Sequence, residues 1–143
     1  VTTATLTATL GGTPVLGEAI NSPLDWIEAL ENGLPPEAVD AAIERGILTR
    51  DEADQFVIPR RTLSHRKQKK QRLTLDESDK LSRITRITAR TAETLSSQEN
   101  AAAWLREPNG ALGGHVPLDL LRTGEGAVLV EQILGRIDHG IYT

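Results

Sequence analysis

The stretch AAAWLREPNGALGGHVPLDLLRTGEG (Ala101–Gly126), with its continuation to Ile141, Tyr142 and Thr143, decides the fold. Pro108-Asn109-Gly110 reverses the chain after Trp104-Leu105, because proline presets φ and glycine supplies a positive one. Gly113-Gly114 leads to Pro117, a first-turn proline, and Asp119, a first-turn acid, so a short helix starts there. Thr123 caps the next helix, whose Val130, Ile133, Leu134 and Ile137 recur at i, i+3, i+4 and i+7. Gly140 ends it. The short tail Ile141-Tyr142-Thr143 is then delivered at a fixed place by a seated helix. Trp104 is expected in the core, since a large aromatic in a chain with 3% aromatics usually anchors packing.

The remainder of the chain reads as helical too. With 143 residues there is one domain or two small ones, and 38% apolar residues make a core of Leu, Ile, Val and Ala. Without cysteine there is no disulfide, thiolate metal site or cysteine nucleophile. His65, His115 and His139 lie too far apart for a zinc spacing, and neither a metal nor a cofactor is expected. No apolar run approaches the ~20 residues of a membrane span, and no signal peptide is legible, so a cytoplasmic protein is expected.

The net charge of −4 conceals an asymmetry. Between Gln55 and Leu75 stand seven bases and no acid, leaving nine bases against twenty acids elsewhere, a net −11. An acidic isoelectric point therefore does not exclude a nucleic-acid surface, because clustering decides.

Residues 1–20 form an N-terminal arm. Ala4, Leu6, Ala8 and Leu10 alternate with Thr3, Thr5, Thr7 and Thr9, which predicts a strand, with a threonine-rich disordered arm as the alternative. Gly11, Gly12 and Gly17 read as linker. Residues 21–73 form the next region. Ser22-Pro23 starts a helix with Leu24, Ile27 and Leu30 inward and Gly33 as its stop. Pro35-Pro36 starts another, with Val39, Ala42 and Ile43 inward and its end at Gly46.

Thr49 and Glu52 make a capping box for a brief helix to about Phe56, with Leu48 stapling onto Ala53. Pro59 then opens a second helix through Lys67; a start near Thr62 stays open, since Ile58 offers no side-chain cap. Two short helices joined by a tight turn, the second basic, are a helix-turn-helix with its recognition helix. Arg60, Arg61, Thr62, Ser64, His65, Arg66 and Lys67 are the candidate DNA contacts, with Lys69 and Lys70 beyond the helix suited to the phosphate backbone. A solvated basic face is the alternative.

Thr74 and Glu77 make a second capping box, opening a long connecting helix over 74–96 with Leu81, Ile84, Thr88, Ala92 and Leu95 as inner stripe. Asp76 and Asp79 pair with Lys80 and Arg83 one turn on, whereas Arg86 and Arg90 have no local partner. Ser96 and Glu99 make a third box, and 97–143 form a compact helical unit.

In this order, Trp104-Leu105, PNGALGG (Pro108–Gly114), PLDLLRT (Pro117–Thr123) and RIDHGIY (Arg136–Tyr142) resemble the toxin-binding domain of Xre/ParS/MbcA antitoxins of RES toxins. The wording covers the last third; the middle third fits the helix-turn-helix those antitoxins carry, and residues 1 to about 20 match no family. The resemblance implies an all-α protein with an N-terminal helix-turn-helix DNA-binding part and a C-terminal toxin-binding domain. It implies a RES-domain toxin that degrades NAD, encoded alongside, and an antitoxin that blocks it and represses its own operon. Leu120, Arg122, Arg136, His139, Ile141, Tyr142 and Thr143 are the candidate toxin contacts, with the tail at the toxin's active-site mouth. A homodimer on operator DNA is expected of a helix-turn-helix protein. A stand-alone repressor with a C-terminal dimerisation unit is the other reading.

Catalysis is not expected. Pro117 breaks the only His–acid pair at helical spacing, His115 and Asp119, and no serine stands in a nucleophile elbow. Thr123-Gly124-Glu125-Gly126 lacks the lysine and hydroxyl of a phosphate loop.

Overall fold

A computed structural model describes residues 1–140. Among them the regular elements are all helical: α1 (Thr3–Thr9), α2 (Gly12–Leu16), α3 (Pro23–Asn32), α4 (Glu37–Glu44), α5 (Arg50–Phe56), α6 (Arg60–Gln68), α7 (Leu75–Leu95), α8 (Gln98–Arg106), a 3-10 turn (Gly110–Leu112), α9 (Pro117–Leu120) and α10 (Gly124–Asp138). The chain divides into a first unit, Val1–Thr85, and a second beginning at Arg86. No helix of the described residues is long and apolar enough to cross a membrane.

The strand expected over residues 1–10 is a helix, and the glycine linker after it is another. Alternating Thr with Ala and Leu fits either period over so short a run. A lone strand, however, leaves its backbone N–H and C=O groups unpaired, whereas a helix pairs them internally. The Thr2 hydroxyl caps α1 by accepting from the Thr5 amide at 3.1 Å. Leu6 and Leu10, one turn apart, are buried, and Leu16 of α2 joins them in the core. Arg45 donates to the Ala8 carbonyl at 3.2 Å, fastening α1 within the unit.

Ser22, Pro23 and Gly33 bound α3 as expected, but its inner face is the other one. Trp26 and Ala29 are buried, while Leu24 and Ile27 are 75% and 50% exposed. Both pairs are spaced i, i+3, so periodicity cannot choose between them. A partner for the indole does: Trp26 Nε1 donates to Ser82 Oγ at 3.0 Å inside the core. Trp26, not Trp104, is thus the buried tryptophan; Trp104 is half-buried, with Ala101 and Leu105 taking the core positions of α8.

The loop after α3 is stitched to the start of α7. Leu34 N donates to Ser78 Oγ and Leu73 N to the Leu34 carbonyl, each at 2.9 Å. A side chain at Gly33 would put Cβ 2.1 Å from the Leu73 carbonyl oxygen, so this crossing requires glycine.

α7 buries Ser78, Leu81, Ser82, Ile84, Thr85, Ile87 and Thr91. Thr88, Ala92 and Leu95, expected on that stripe, are only half-buried. The hydroxyls enter the core because they are satisfied: Thr85 and Thr91 donate to the Leu81 and Ile87 carbonyls at 2.7 Å. All four basic residues of α7 are paired: Lys80 and Arg83 with Asp76 and Asp79, and Arg86 and Arg90 with Glu131 and Asp138 of α10.

In the second unit the cap of α8 is Ser97, accepting from Asn100 N at 3.0 Å, rather than Ser96. Ser96 has φ +56° and serves as the left-handed residue ending α7, so it cannot also take the extended cap conformation. Asn109 Oδ1 accepts from Ala111 N at 2.9 Å and Pro117 opens α9. Thr123 caps α10, which buries Ala127, Val130, Ile133 and Leu134 and leaves Ile137 half-buried. Gly126 is where α10 meets α9: a Cβ there would lie 1.8 Å from the Leu120 carbonyl oxygen.

Candidate nucleic-acid and protein interfaces

α5 and α6 form the helix-turn-helix. Thr49 and Glu52 cap each other's backbone at 2.9 and 3.1 Å, and Phe56, Val57 and Ile58 bury the turn. The start of α6 at Arg60 resolves the missing cap. Asp54, one helix earlier, accepts the Arg60 amide and so does what Ile58 cannot. An acid six residues upstream is the signal that a search confined to the adjacent residue overlooks.

Leu63 is buried and pins α6 to the unit. Arg60, Arg61, Ser64, His65, Lys67, Gln68, Lys69 and Lys70 are exposed, and Thr62 is half-buried beside Leu63. Arg61, Ser64, His65 and Gln68 share one outward face at i, i+3, i+4 and i+7. Gln68 is a group the sequence reading left out, because it ended the helix at Lys67. A glutamine amide can bond an adenine edge through two hydrogen bonds, as arginine can a guanine edge.

Several of the candidate cations are engaged within the fold. Arg60 pairs with Asp51 at 2.7 Å on exposed surface, and Lys67 with the half-buried Asp40 at 2.6 Å. Arg66 is placed differently. Its guanidinium meets the Glu77 carboxylate through two contacts, 2.6 and 3.4 Å, with side chains only 17% and 14% exposed. It also donates to the Arg72 carbonyl at 3.1 Å. Glu77 Oε1 in turn accepts the Thr74 amide at 2.8 Å as half of the second capping box. Arg66 therefore positions α6 rather than presenting its charge outward.

Beyond α6 the chain turns through Lys70, at φ +53°. Gln71 N donates to Arg66 O and Lys70 N to Lys67 O, the double closure of a Schellman motif. Lys67, Lys70 and Arg72 line a shallow cleft of ≈ 220 Å³ with Pro35, Pro36, Glu37 and Gln71. Arg72 reaches back to the Gly33 carbonyl at 2.9 Å. The result is a rigid helix with polar side chains outward and cations at its edge, a form that suits a DNA groove.

The candidate protein contacts belong to the second unit. Of the candidates, Arg122, Arg136 and His139 are exposed and Leu120 is half-buried. Arg136 and His139 share an outer face of α10, while Leu120 and Arg122 lie in and after α9. Ile141, Tyr142 and Thr143 lie outside the described residues. Asp138, near the end of α10, has its carboxyl held below the usual range, chiefly by a hydrogen bond from Arg90 and then one from Thr94. Among the described residues, no group of three or more His, Asp or Glu side chains is gathered to hold a metal ion.

Comparison with known proteins matches both parts. Residues 25–86 match the model of the antitoxin Xre-like helix-turn-helix domain, and residues 91–140 that of the antitoxin Xre/MbcA/ParS C-terminal toxin-binding domain. An antitoxin Xre of Pseudomonas putida is 41% identical over 97 residues, 68% of this chain and 60% of that protein. The chain thus spans less than two thirds of that relative. An antitoxin Xre of Photorhabdus laumondii is 31% identical over 118 residues, 78% of this chain and 77% of its own length. A Prs ADP-ribosylating antitoxin of a Sphingobium species is 46% identical over 41 residues, 29% of this chain and 26% of that protein. With a helix-turn-helix built on α5 and α6, a helical C-terminal unit, and a relative matched over most of both lengths, the chain belongs to the Xre antitoxin family.

Proposed function

We propose that this chain neutralises a RES-domain, NAD-degrading toxin encoded beside it, by occluding the toxin's active site, and that it represses its own operon. The carrying observation is that the two candidate surfaces lie in different units. The exposed polar face of α6 lies in the first unit, and residues 91–140, matching a toxin-binding family model, lie in the second. The Sphingobium relative is named for ADP-ribosylation, a chemistry that uses NAD, which supports an NAD-consuming partner.

On the DNA side, Arg61, Ser64, His65 and Gln68 face the base edges, and Lys69 and Lys70 hold phosphates. The protein binds as a homodimer, with two recognition helices spaced about one DNA turn apart. On the toxin side, Leu120, Arg122, Arg136 and His139 contact the toxin and Ile141–Thr143 lies at its active-site mouth. Tyr142 is suited to stacking there.

The test is co-expression with the neighbouring gene product, followed by NAD consumption with and without this chain. Removal of Ile141–Thr143 should leave folding and operator binding intact and release NAD loss. Full protection by the truncated chain would refute occlusion by the tail. No NAD loss from the neighbour alone would refute the toxin assignment.

A further inference from the structure

Among the described residues, nothing around Gly135 requires glycine. It sits inside α10, half-buried, and a Cβ built on it would meet nothing within 4 Å among the described residues. Gly126 of the same helix is different, since its Cβ would strike the Leu120 carbonyl oxygen. A glycine inside a helix weakens it relative to alanine by its greater backbone freedom when unfolded. Nothing in the described contacts of Gly135 offsets that loss.

The surroundings of Gly135 on the helix surface are equally unusual. Val128 lies two turns before it, Gln132 one turn before and His139 one turn after, with Leu129 and Arg136 on the adjoining rows. Val128 and Leu129 are 48% and 50% exposed, the exposed large apolar side chains of the second unit among the described residues. Single exposed aliphatics are ordinary; two adjacent ones, two turns along the helix surface from a glycine with no side chain, make a knob and a notch. Arg136 is exposed and has no ion-pair partner among the described residues, although Arg86 and Arg90 of the same unit are both paired.

We infer that the Val128–Leu129–Gly135–Arg136 face of α10 is the surface that seats the toxin. The occupant is a protein segment that lays its backbone across Gly135, buries Val128 and Leu129, and offers a carboxylate to Arg136. The inference rests on the proposal that the second unit binds a toxin, and it names the surface that does so. Glycine serves this contact because only its missing side chain lets a partner's main chain approach a helix so closely.

The discriminating variant is Gly135→Ala in the full chain, with Leu129→Glu as a second probe and the purified neighbouring toxin as ligand. Gly135→Ala should raise the melting temperature of the chain alone and weaken the toxin complex at least tenfold. A residue with a purely structural role would not move stability and affinity in opposite directions. Leu129→Glu should abolish co-purification while the circular dichroism spectrum and operator binding stay as in the wild type. A toxin complex unaffected by both variants would overturn this surface and leave the proposed function standing. Absence of a complex with the wild-type chain would overturn both. Loss of self-association with toxin affinity unchanged would assign the face to a second copy of this chain and overturn the inference. A lower melting temperature for Gly135→Ala would overturn its premise.

Discussion

Arg66→Ala separates a basic residue that touches DNA from one that holds the reading helix in place. Exposed ion pairs contribute about 0–1 kcal/mol, and removing one partner of a fully buried pair costs about 3–5 kcal/mol. The Arg66–Glu77 pair lies between these limits, with both side chains largely but not wholly covered. The orphaned carboxylate would keep the Thr74 amide as a donor and some access to water. That places its loss near 2 kcal/mol. The severed bond to the Arg72 carbonyl adds roughly 0.5–1 kcal/mol. Urea unfolding should therefore show a loss of about 2–3 kcal/mol at unchanged m-value. Arg66→Lys should recover only part of it, because an ammonium lacks the two-pronged fork. Operator affinity should fall through disorder of α6, with the slope of log K against log salt unchanged. Each lost phosphate contact would instead lower that slope by about 0.9, as expected for Lys69→Ala or Lys70→Ala. A variant of wild-type stability whose salt slope drops by about one would refute the positioning role and return Arg66 to the DNA surface.

Three further outcomes are expected. Gly126→Ala should destabilise the chain by about 3 kcal/mol in thermal unfolding, because the added methyl meets backbone rather than a movable side chain; a neutral effect would contradict the α9–α10 contact. Asp51→Asn frees Arg60 and removes an anion from the DNA-facing part, so operator affinity should rise by about 2- to 5-fold at low salt and converge on wild type at high salt; fluorescence anisotropy across a salt series decides. Asp138 has a folded-state pKa below its unfolded one, so its stabilisation is present above the ordinary carboxylate range and vanishes as pH falls through the folded value. Asp138→Asn should accordingly melt below wild type at neutral pH and approach it in acid, and a gap of constant size down to low pH would contradict this.

Much of this fold was legible because caps are local chemistry. Thr49, Thr74 and Thr123 each announce a helix start through a hydroxyl and the residues just after it, and all three act as read. Choosing a buried face is a different problem. α3 offers Leu24 with Ile27 and Trp26 with Ala29 at one spacing, and the choice falls to Ser82, fifty-six residues away. Hydropathy also passes over Ser78, Ser82, Thr85 and Thr91, whose burial depends on hydrogen bonds that a sequence does not display. The same limit shaped the proposed DNA surface. A run of seven bases marks the region, but which of them is free depends on Asp40, Asp51 and Glu77. Gln68, uncharged and one residue past the expected helix end, did not register at all.

Lys70 closes α6 in a backbone conformation that glycine adopts without strain. The site thus accepts a standing conformational penalty, of the order of 1 kcal/mol, to keep an ammonium group at the helix end. Consensus-style thermostabilisation of such a turn would replace the lysine with glycine, and the hardier protein would give up the cation proposed to hold a phosphate.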